Sequence, residues 1–162
     1  MIPRAPDDQP GPADLMLGAL VAMPPEEQAR LLQDPARAAP WVAAAAEAGL
    51  PEARLRHGRW LLERGHPSAA LGQFLRAARR GDLDARNMVG RCVENGWGVG
   101  ADPRRAARWY LRAAEAGHAW AQYNLGHLLL DGLGLARDLR AAYGWYLRAA
   151  RQGNPRAMNL LE

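Results

Sequence analysis

Apolar and small residues recur along the chain with the spacing of an α-helix. In the segment from 121 to 129, Ala121, Leu125, Gly126 and Leu129 follow the 3.6-residue period of one apolar stripe. Alanine, the strongest helix former, dominates the apolar residues, and the β-branched residues that favour strands are scarce. The pattern therefore predicts an all-α protein built from amphipathic helices.

The helical pattern is repeated. The word WYLRAA stands at 109–114 and again at 145–150, and Gly49, Gly81, Gly117 and Gly153 keep step with it. Such periods indicate stacked structural units. We expect units at about 13–49, 50–81, 82–117 and 118–153, a C-terminal capping helix at 154–162, and a disordered segment at 1–12, which is rich in Pro and Asp.

Each unit is predicted to contain two helices. The first ends at a glycine such as Gly96 or Gly132, where a left-handed residue closes a helix at little steric cost. The second begins at an aspartate such as Asp102, whose carboxylate can accept hydrogen bonds from the exposed amides. Small residues let the helices approach closely, and we expect the aromatic at Tyr110 to fill the gap between units.

Three segments depart from a perfect copy. Pro40 falls inside a second helix, so a kink or a new helix start is expected there. The expansion at 24–33, PPEEQARLLQ, predicts a short helix of its own. At the carboxyl end, Met158 and Leu161 are expected to cover the last repeat and Leu160 to lie partly exposed, which suggests a monomer with a hydrophobic cap or a weak homo-oligomer.

The combination of these residues resembles the Sel-one-like repeat, a relative of the tetratricopeptide repeat. The shared pattern is Ala-x-x-x-Leu-Gly, then Gly-x-Gly-Val or Gly-x-Gly-Leu, then Asp, Ala-Ala, Trp-Tyr, Ala-Ala and Gly-His or Gly-Asn, clearest over 83–153. The resemblance implies a right-handed α/α solenoid of about four helix-pair repeats. It further implies a non-catalytic adaptor or scaffold, of a kind found in bacterial signalling and in complex assembly.

The resemblance also implies where a partner binds, because the first helices line the concave side of tetratricopeptide-like solenoids. The Leu-Gly landmark places the following residues on that side: Trp120, Tyr123, His127, Asp84, Asn87, Arg91, Glu94, Glu52, Leu55 and Arg59. Trp, Tyr and Arg supply much of the affinity in protein interfaces. The alternative is that Trp120 and Tyr123 pack against a neighbouring helix, and the sequence leaves both interpretations open.

The remaining candidates for chemistry have plainer explanations. The loop GWGVG at 96–100 lacks the lysine and the spacing of a phosphate loop, so it is interpreted as a helix-ending turn. The four histidines lack the spacing of a metal pair, and Cys92 is expected to be a small buried residue. We therefore expect no catalytic site, no cofactor and no metal.

Charge raises a second function class. The chain has 21 Lys and Arg residues, all of them Arg, against 17 Asp and Glu, which gives a net charge of +4. Arginine-mediated binding to nucleic acid or another anionic surface is thus the alternative to a protein partner, although the modest charge makes nucleic acid the weaker expectation. The apolar run at 15–23 is far shorter than the ~20 residues that span a bilayer and lacks a positive leader, so a cytoplasmic protein is expected.

Overall fold

The computed structural model describes residues 12–161, without the side chains of Asp14, Leu32, Pro51 and Glu52. All regular secondary structure in that range is helical, which confirms the all-α prediction. The helices are α1 (Pro12–Ala22), α2 (Pro25–Gln33), α3 (Pro35–Glu47), α4 (Pro51–Glu63), α5 (Pro67–Arg79), α6 (Leu83–Asn95), α7 (Pro103–Glu115), α8 (Ala119–Asp131), α9 (Leu139–Arg151) and α10 (Pro155–Leu161). They fall into two compact units that divide within α4, between His57 and Gly58.

In the first unit, α1 and α2 both pack on α3, whose buried face consists of alanines. The Gln28 side chain donates hydrogen bonds to the carbonyls of Leu20 and Met23, both at 2.9 Å, and so fixes the turn between α1 and α2. The segment at 24–33 forms α2, as predicted. Helix α3 runs without interruption through Pro40, so the expected new helix start is absent and Pro40 lies exposed on the helix.

In the second unit each helix packs on the helix before and after it in the chain, from α5 to α10, as in an α/α solenoid. The predicted caps are present: Asp102 accepts from the Arg105 amide at 2.9 Å and Asp138 from the Ala141 amide at 2.9 Å. Gly96, at φ 74°, ends α6 in the left-handed conformation. At these positions the local sequence signals therefore define where the helix begins or ends.

The recurring spacing between glycine and aromatic residues has a packing cause. A Cβ atom at Gly90 would lie 2.5 Å from the Tyr110 ring, and one at Gly126 would lie 2.8 Å from the Tyr146 ring. Each aromatic thus packs on the glycine of the preceding helix within the same pair. The close approach that glycine permits therefore occurs inside the pair, in addition to the predicted filling of the gap between units, which stays a prediction.

The glycine loops add contacts between neighbouring pairs. A Cβ atom at Gly98, where φ is 77°, would lie 2.6 Å from the backbone of Pro67 at the start of α5. Gly134 approaches the backbone of Pro103 and Arg104 at the start of α7 in the same way. The GWGVG loop is therefore a turn after a helix, as interpreted, and it packs on the start of a helix in the preceding pair.

The last helix, α10, covers the end of the second unit with less apolar surface than expected. Ala157 is fully buried, and the Asn154 side chain caps the helix by accepting from the Ala157 amide at 3.0 Å. Leu161 is half-buried, but Met158 is 45% exposed, so the prediction that Met158 covers the repeat was wrong. Leu160 is 54% exposed, in agreement with the sequence.

Candidate partner-binding groove

The first helices of successive pairs in the second unit border a common groove of about 430 Å³. The groove takes side chains from the second-unit part of α4 and from α6, α8 and α10. Its lining residues are Arg59, Leu62, Glu63, Asp84, Asn87, Met88, Arg91, Trp120, Asn124 and Arg156. Five residues predicted from the sequence, namely Arg59, Asp84, Asn87, Arg91 and Trp120, are thus brought together.

Trp120 is the large apolar side chain of the groove. It lies in the first turn of α8, which begins where the His118 Nδ1 atom accepts a hydrogen bond from the Ala121 amide at 3.1 Å. The indole is 41% exposed, its ring is edge-on to Tyr123 with centroids 6.3 Å apart, and the Arg156 guanidinium lies 5.8 Å from its centroid. Trp120 is therefore held in place by neighbouring side chains and still exposes part of its surface to solvent, as a residue that contacts a partner requires.

Two asparagines that line the groove connect neighbouring pairs. The Asn124 side-chain amide on α8 donates to the Asn87 side-chain oxygen on α6 at 2.9 Å. The Asn87 nitrogen and the Asn124 oxygen have no hydrogen-bond partner among residues 12–161. This pair leaves one donor and one acceptor in a groove wall, which matches the two hydrogen-bonding groups of a peptide unit.

The rim of the groove is charged and mixed in sign. Asp84 lies 3.9 Å from the Arg59 guanidinium and 3.1 Å from the His118 ring nitrogen. Arg91 lies 5.4 Å from the Trp97 ring centroid, and its guanidinium is 3.7 Å from the Met88 sulfur. Because Arg59 and Asp84 are both more than half exposed, their ion pair contributes little to folding and can exchange for a partner's charges.

The other predicted site residues do not line the groove. The Glu94 carboxylate accepts a hydrogen bond from the Tyr110 hydroxyl at 2.6 Å, and Tyr123 packs against Tyr146 with centroids 5.6 Å apart. His127 pairs with Asp131 at 3.0 Å on the exposed side of α8. Glu94 and Tyr123 therefore support the helix pairs, and the packing alternative raised by the sequence applies to Tyr123.

Two predicted residues belong to the first unit. Leu55 is partly exposed on α4, and the side chain of Glu52 lies outside the described residues. Neither can be assigned to the groove of the second unit.

Sequence reasoning missed Asn124, Arg156, Leu62, Glu63 and Met88. Asn124 lies one helical turn after Trp120, and Met88 one turn after Asp84, so the four-residue step along each helix would have found both. Arg156 was missed because it belongs to the incomplete last repeat. There it occupies the position that corresponds to Trp120.

No reactive group is evident in the described part of the chain. Cys92 is fully buried, and burial raises the pKa of its thiol to about 11, which disfavours the reactive thiolate. Within residues 12–161 no cluster of His, Cys, Asp or Glu could hold a metal ion. In the same range no helix has the length and hydrophobicity needed to cross a membrane.

The Sel1 repeat family matches residues 83–118 and 121–154. A Sel1 repeat protein from Oxalobacter formigenes has a similar structure, with 33% identity and a TM-score of 0.73 over 77% of this chain and 51% of that one. No curated protein matches the sequence.

Two further solved structures are similar. A protective antigen present in uropathogenic Escherichia coli strains, which displays an SLR fold, is 28% identical with a TM-score of 0.75, over 93% of this chain and 35% of that one. The Helicobacter pylori cysteine rich protein B is 21% identical with a TM-score of 0.61, over 76% of this chain and 92% of that one, a likeness of fold alone. This chain spans about half the length of the Oxalobacter protein and about a third of the antigen.

Proposed function

We propose that this chain, with its Sel1 repeats at 83–118 and 121–154, is a non-catalytic adaptor that binds a peptide or protein partner in the groove around Trp120. Sel1 repeats commonly form scaffolds for protein interactions. The observation that carries the proposal is the juxtaposition of a 41% exposed tryptophan with the Asn87–Asn124 pair in one groove.

The groove chemistry favours an extended peptide segment. The Asn87 nitrogen can donate to a peptide carbonyl and the Asn124 oxygen can accept from a peptide amide, so the pair can fix the main chain independently of its sequence. Trp120 offers apolar surface to one side chain of the peptide, and Arg59, Arg91 and Arg156 offer charges to acidic side chains. Trp and Arg are enriched among residues that dominate interface affinity.

A displayed library of random peptides tests the proposal, because the selection does not require the natural partner. Peptides selected on the native chain would be titrated by calorimetry against the native protein, Trp120→Ala and Asn87→Ala. We expect Trp120→Ala to weaken binding by about 2 kcal/mol, the size of an interface hot spot. The melting temperature should stay near the native value, because the indole is partly solvated.

Trp145→Ala is the matched control, since Trp145 is a partly exposed tryptophan on α9 that does not line the groove. It should bind the selected peptides with native affinity. The proposal fails if Trp120→Ala binds them equally well, or if no peptide is enriched. A Trp120→Ala variant that melts several degrees early would assign the residue to the core instead.

Self-association is a separate prediction. The exposed Leu160 on α10 offers an apolar contact at the end of the second unit, and we propose at most a weak homo-oligomer there. Light scattering of the native chain and Leu160→Glu measures this directly. A monomer in both cases disposes of the oligomer and leaves the groove proposal unaffected.

A further inference from the structure

A second surface lies on α7, on side chains that do not line the groove. Trp109 is partly exposed and borders two open depressions. The smaller, of about 160 Å³, is formed with Arg105, Arg108 and Arg112. The larger, of about 390 Å³, adds Arg79 and Arg86 from the two preceding helices. Trp109 thus shares its two depressions with five arginines, and we call this surface the Trp109 face.

Within residues 12–161, the positive charge of the Trp109 face exceeds the negative charge that lines it. None of its five arginine side chains forms an ion pair or a hydrogen bond with a residue in the described range 12–161. Glu115 is the one acidic residue that lines either depression in that range. Five arginines against one glutamate leave the surface with an excess of positive charge, and a bound anion would relieve the repulsion among them.

The repeat architecture does not require this cluster. On α9 the residues equivalent to Arg105 and Arg108 are Ala141 and Gly144. There the Arg148 guanidinium lies 4.6 Å from the Trp145 ring centroid and covers it. The arginine cluster is therefore specific to α7, while helix packing is common to both copies.

We propose that the Trp109 face binds an acidic peptide segment, as a site separate from the groove. Guanidinium groups pair with carboxylates through two parallel hydrogen bonds. Arg105 and Arg112 are two helical turns apart, roughly 10 Å along α7, a distance that about three residues of extended peptide span. The indole offers its surface to an apolar side chain between the acidic ones.

The same geometry disfavours a nucleic-acid strand. Proteins that bind single strands stack successive bases on successive aromatic side chains. The Trp109 face has a single indole, and the equivalent Trp145 is already covered by Arg148. A strand would therefore find one stacking position and a short patch of charge.

The test uses the full chain and a fluorescent synthetic peptide with a central leucine flanked by glutamates. Its anisotropy should rise on titration, and the same peptide with glutamine for every glutamate should not bind. The double variant Arg105→Gln, Arg108→Gln should lose at least about tenfold in affinity, which corresponds to about 1.4 kcal/mol, because it removes two charged contacts with the peptide.

The matched control is the double variant Arg140→Gln, Arg148→Gln on α9, which removes the same charge from the other repeat. It should keep affinity within about threefold, the scale of a screened net-charge effect. Equal losses in the two double variants would overturn the proposal, because net charge alone would then explain binding. It is also overturned if the glutamate peptide does not bind, or if an oligothymidylate binds more tightly and displaces it.

Discussion

The two copies of WYLRAA, on α7 and α9, share a sequence but differ in their surroundings. Tyr110 and Tyr146 are both buried, each against the glycine of its preceding helix. Outside the shared word, Tyr110 donates its hydroxyl proton to Glu94, whereas the Tyr146 hydroxyl has no hydrogen-bond partner within residues 12–161. The repeated residues therefore build the helix pair, and the residues that differ between copies determine what each pair does.

Trp120 illustrates the same division. The equivalent positions in the neighbouring first helices are Asp84 and Arg156, so the aromatic occurs in one of these three repeats only. All three residues line the groove, and none is buried. Packing does not require a particular residue at this position, and each of these repeats has a different one there. The position is therefore a candidate for recognition of a partner.

Among the variants that test this comparison, the largest loss of stability is expected when a methyl group is added at the glycine that contacts the tyrosine ring. A methyl group at Gly90 meets the Tyr110 ring, which is completely buried and cannot move aside. Gly90→Ala should destabilise the protein by about 2–3 kcal/mol, within the range for overpacked cores. Urea denaturation measures the change in the free energy of unfolding.

Two further variants sharpen that result. Gly126→Ala should cost less, because its contact with the less tightly enclosed Tyr146 is 0.3 Å longer, at 2.8 Å against 2.5 Å. Gly144→Ala on α9 meets nothing within 4 Å and should stabilise the helix by up to about 1 kcal/mol. If Gly90→Ala is as harmless as Gly144→Ala, the glycine contact does not hold the pair together.

Removal of the hydroxyl group alone should affect the free energy of unfolding differently at the two buried tyrosines. Tyr110→Phe loses the 2.6 Å hydrogen bond to the Glu94 carboxylate and leaves that half-buried group without it. The expected cost is about 1.5 kcal/mol, as for a hydrogen bond to a charged group. Tyr146→Phe should change the free energy of unfolding by no more than about 0.5 kcal/mol. Equal effects in the two variants would contradict the structural difference between the copies.

Raising the pH should produce a smaller and more gradual loss of stability. Burial, with smaller effects of Tyr123 and Asp131, raises the pKa of Tyr146 to about 12. Burial and then the hydrogen bond to Glu94 raise the pKa of Tyr110 further. Both folded-state pKa values exceed the unfolded value of about 10, so the stability from the neutral phenols is fully present below that pH.

Stability should therefore decline as pH rises above about 10, where the unfolded chain begins to release phenol protons that the folded chain retains. The urea midpoint, followed through this range, should fall less steeply in Tyr110→Phe than in the native chain. A midpoint with the same slope in both would show that Tyr110 does not couple to folding.

The sequence was sufficient for those features that local physics determines. Helix ends at Gly96 and caps at Asp102 follow from backbone conformation and hydrogen bonding within a few residues, and both were predicted. The contacts between side chains of different helices were harder to predict from the sequence. Glu94 and Tyr123 have the spacing of groove residues, but the aromatic residue of the following helix removes each from the groove. That contact depends on how two helices pack, which the spacing along one helix does not specify.

The most direct test of recognition by unit-specific residues is a titration of isotope-labelled protein with a peptide selected on the native chain. The indole N–H signals of the six tryptophans report on different surfaces at once. The account predicts that the Trp120 signal shifts most and saturates with the peptide, while the signal of Trp145, which lies in neither proposed binding surface, stays in place. It is contradicted if Trp145 shifts as much as Trp120, or if Trp120 does not respond.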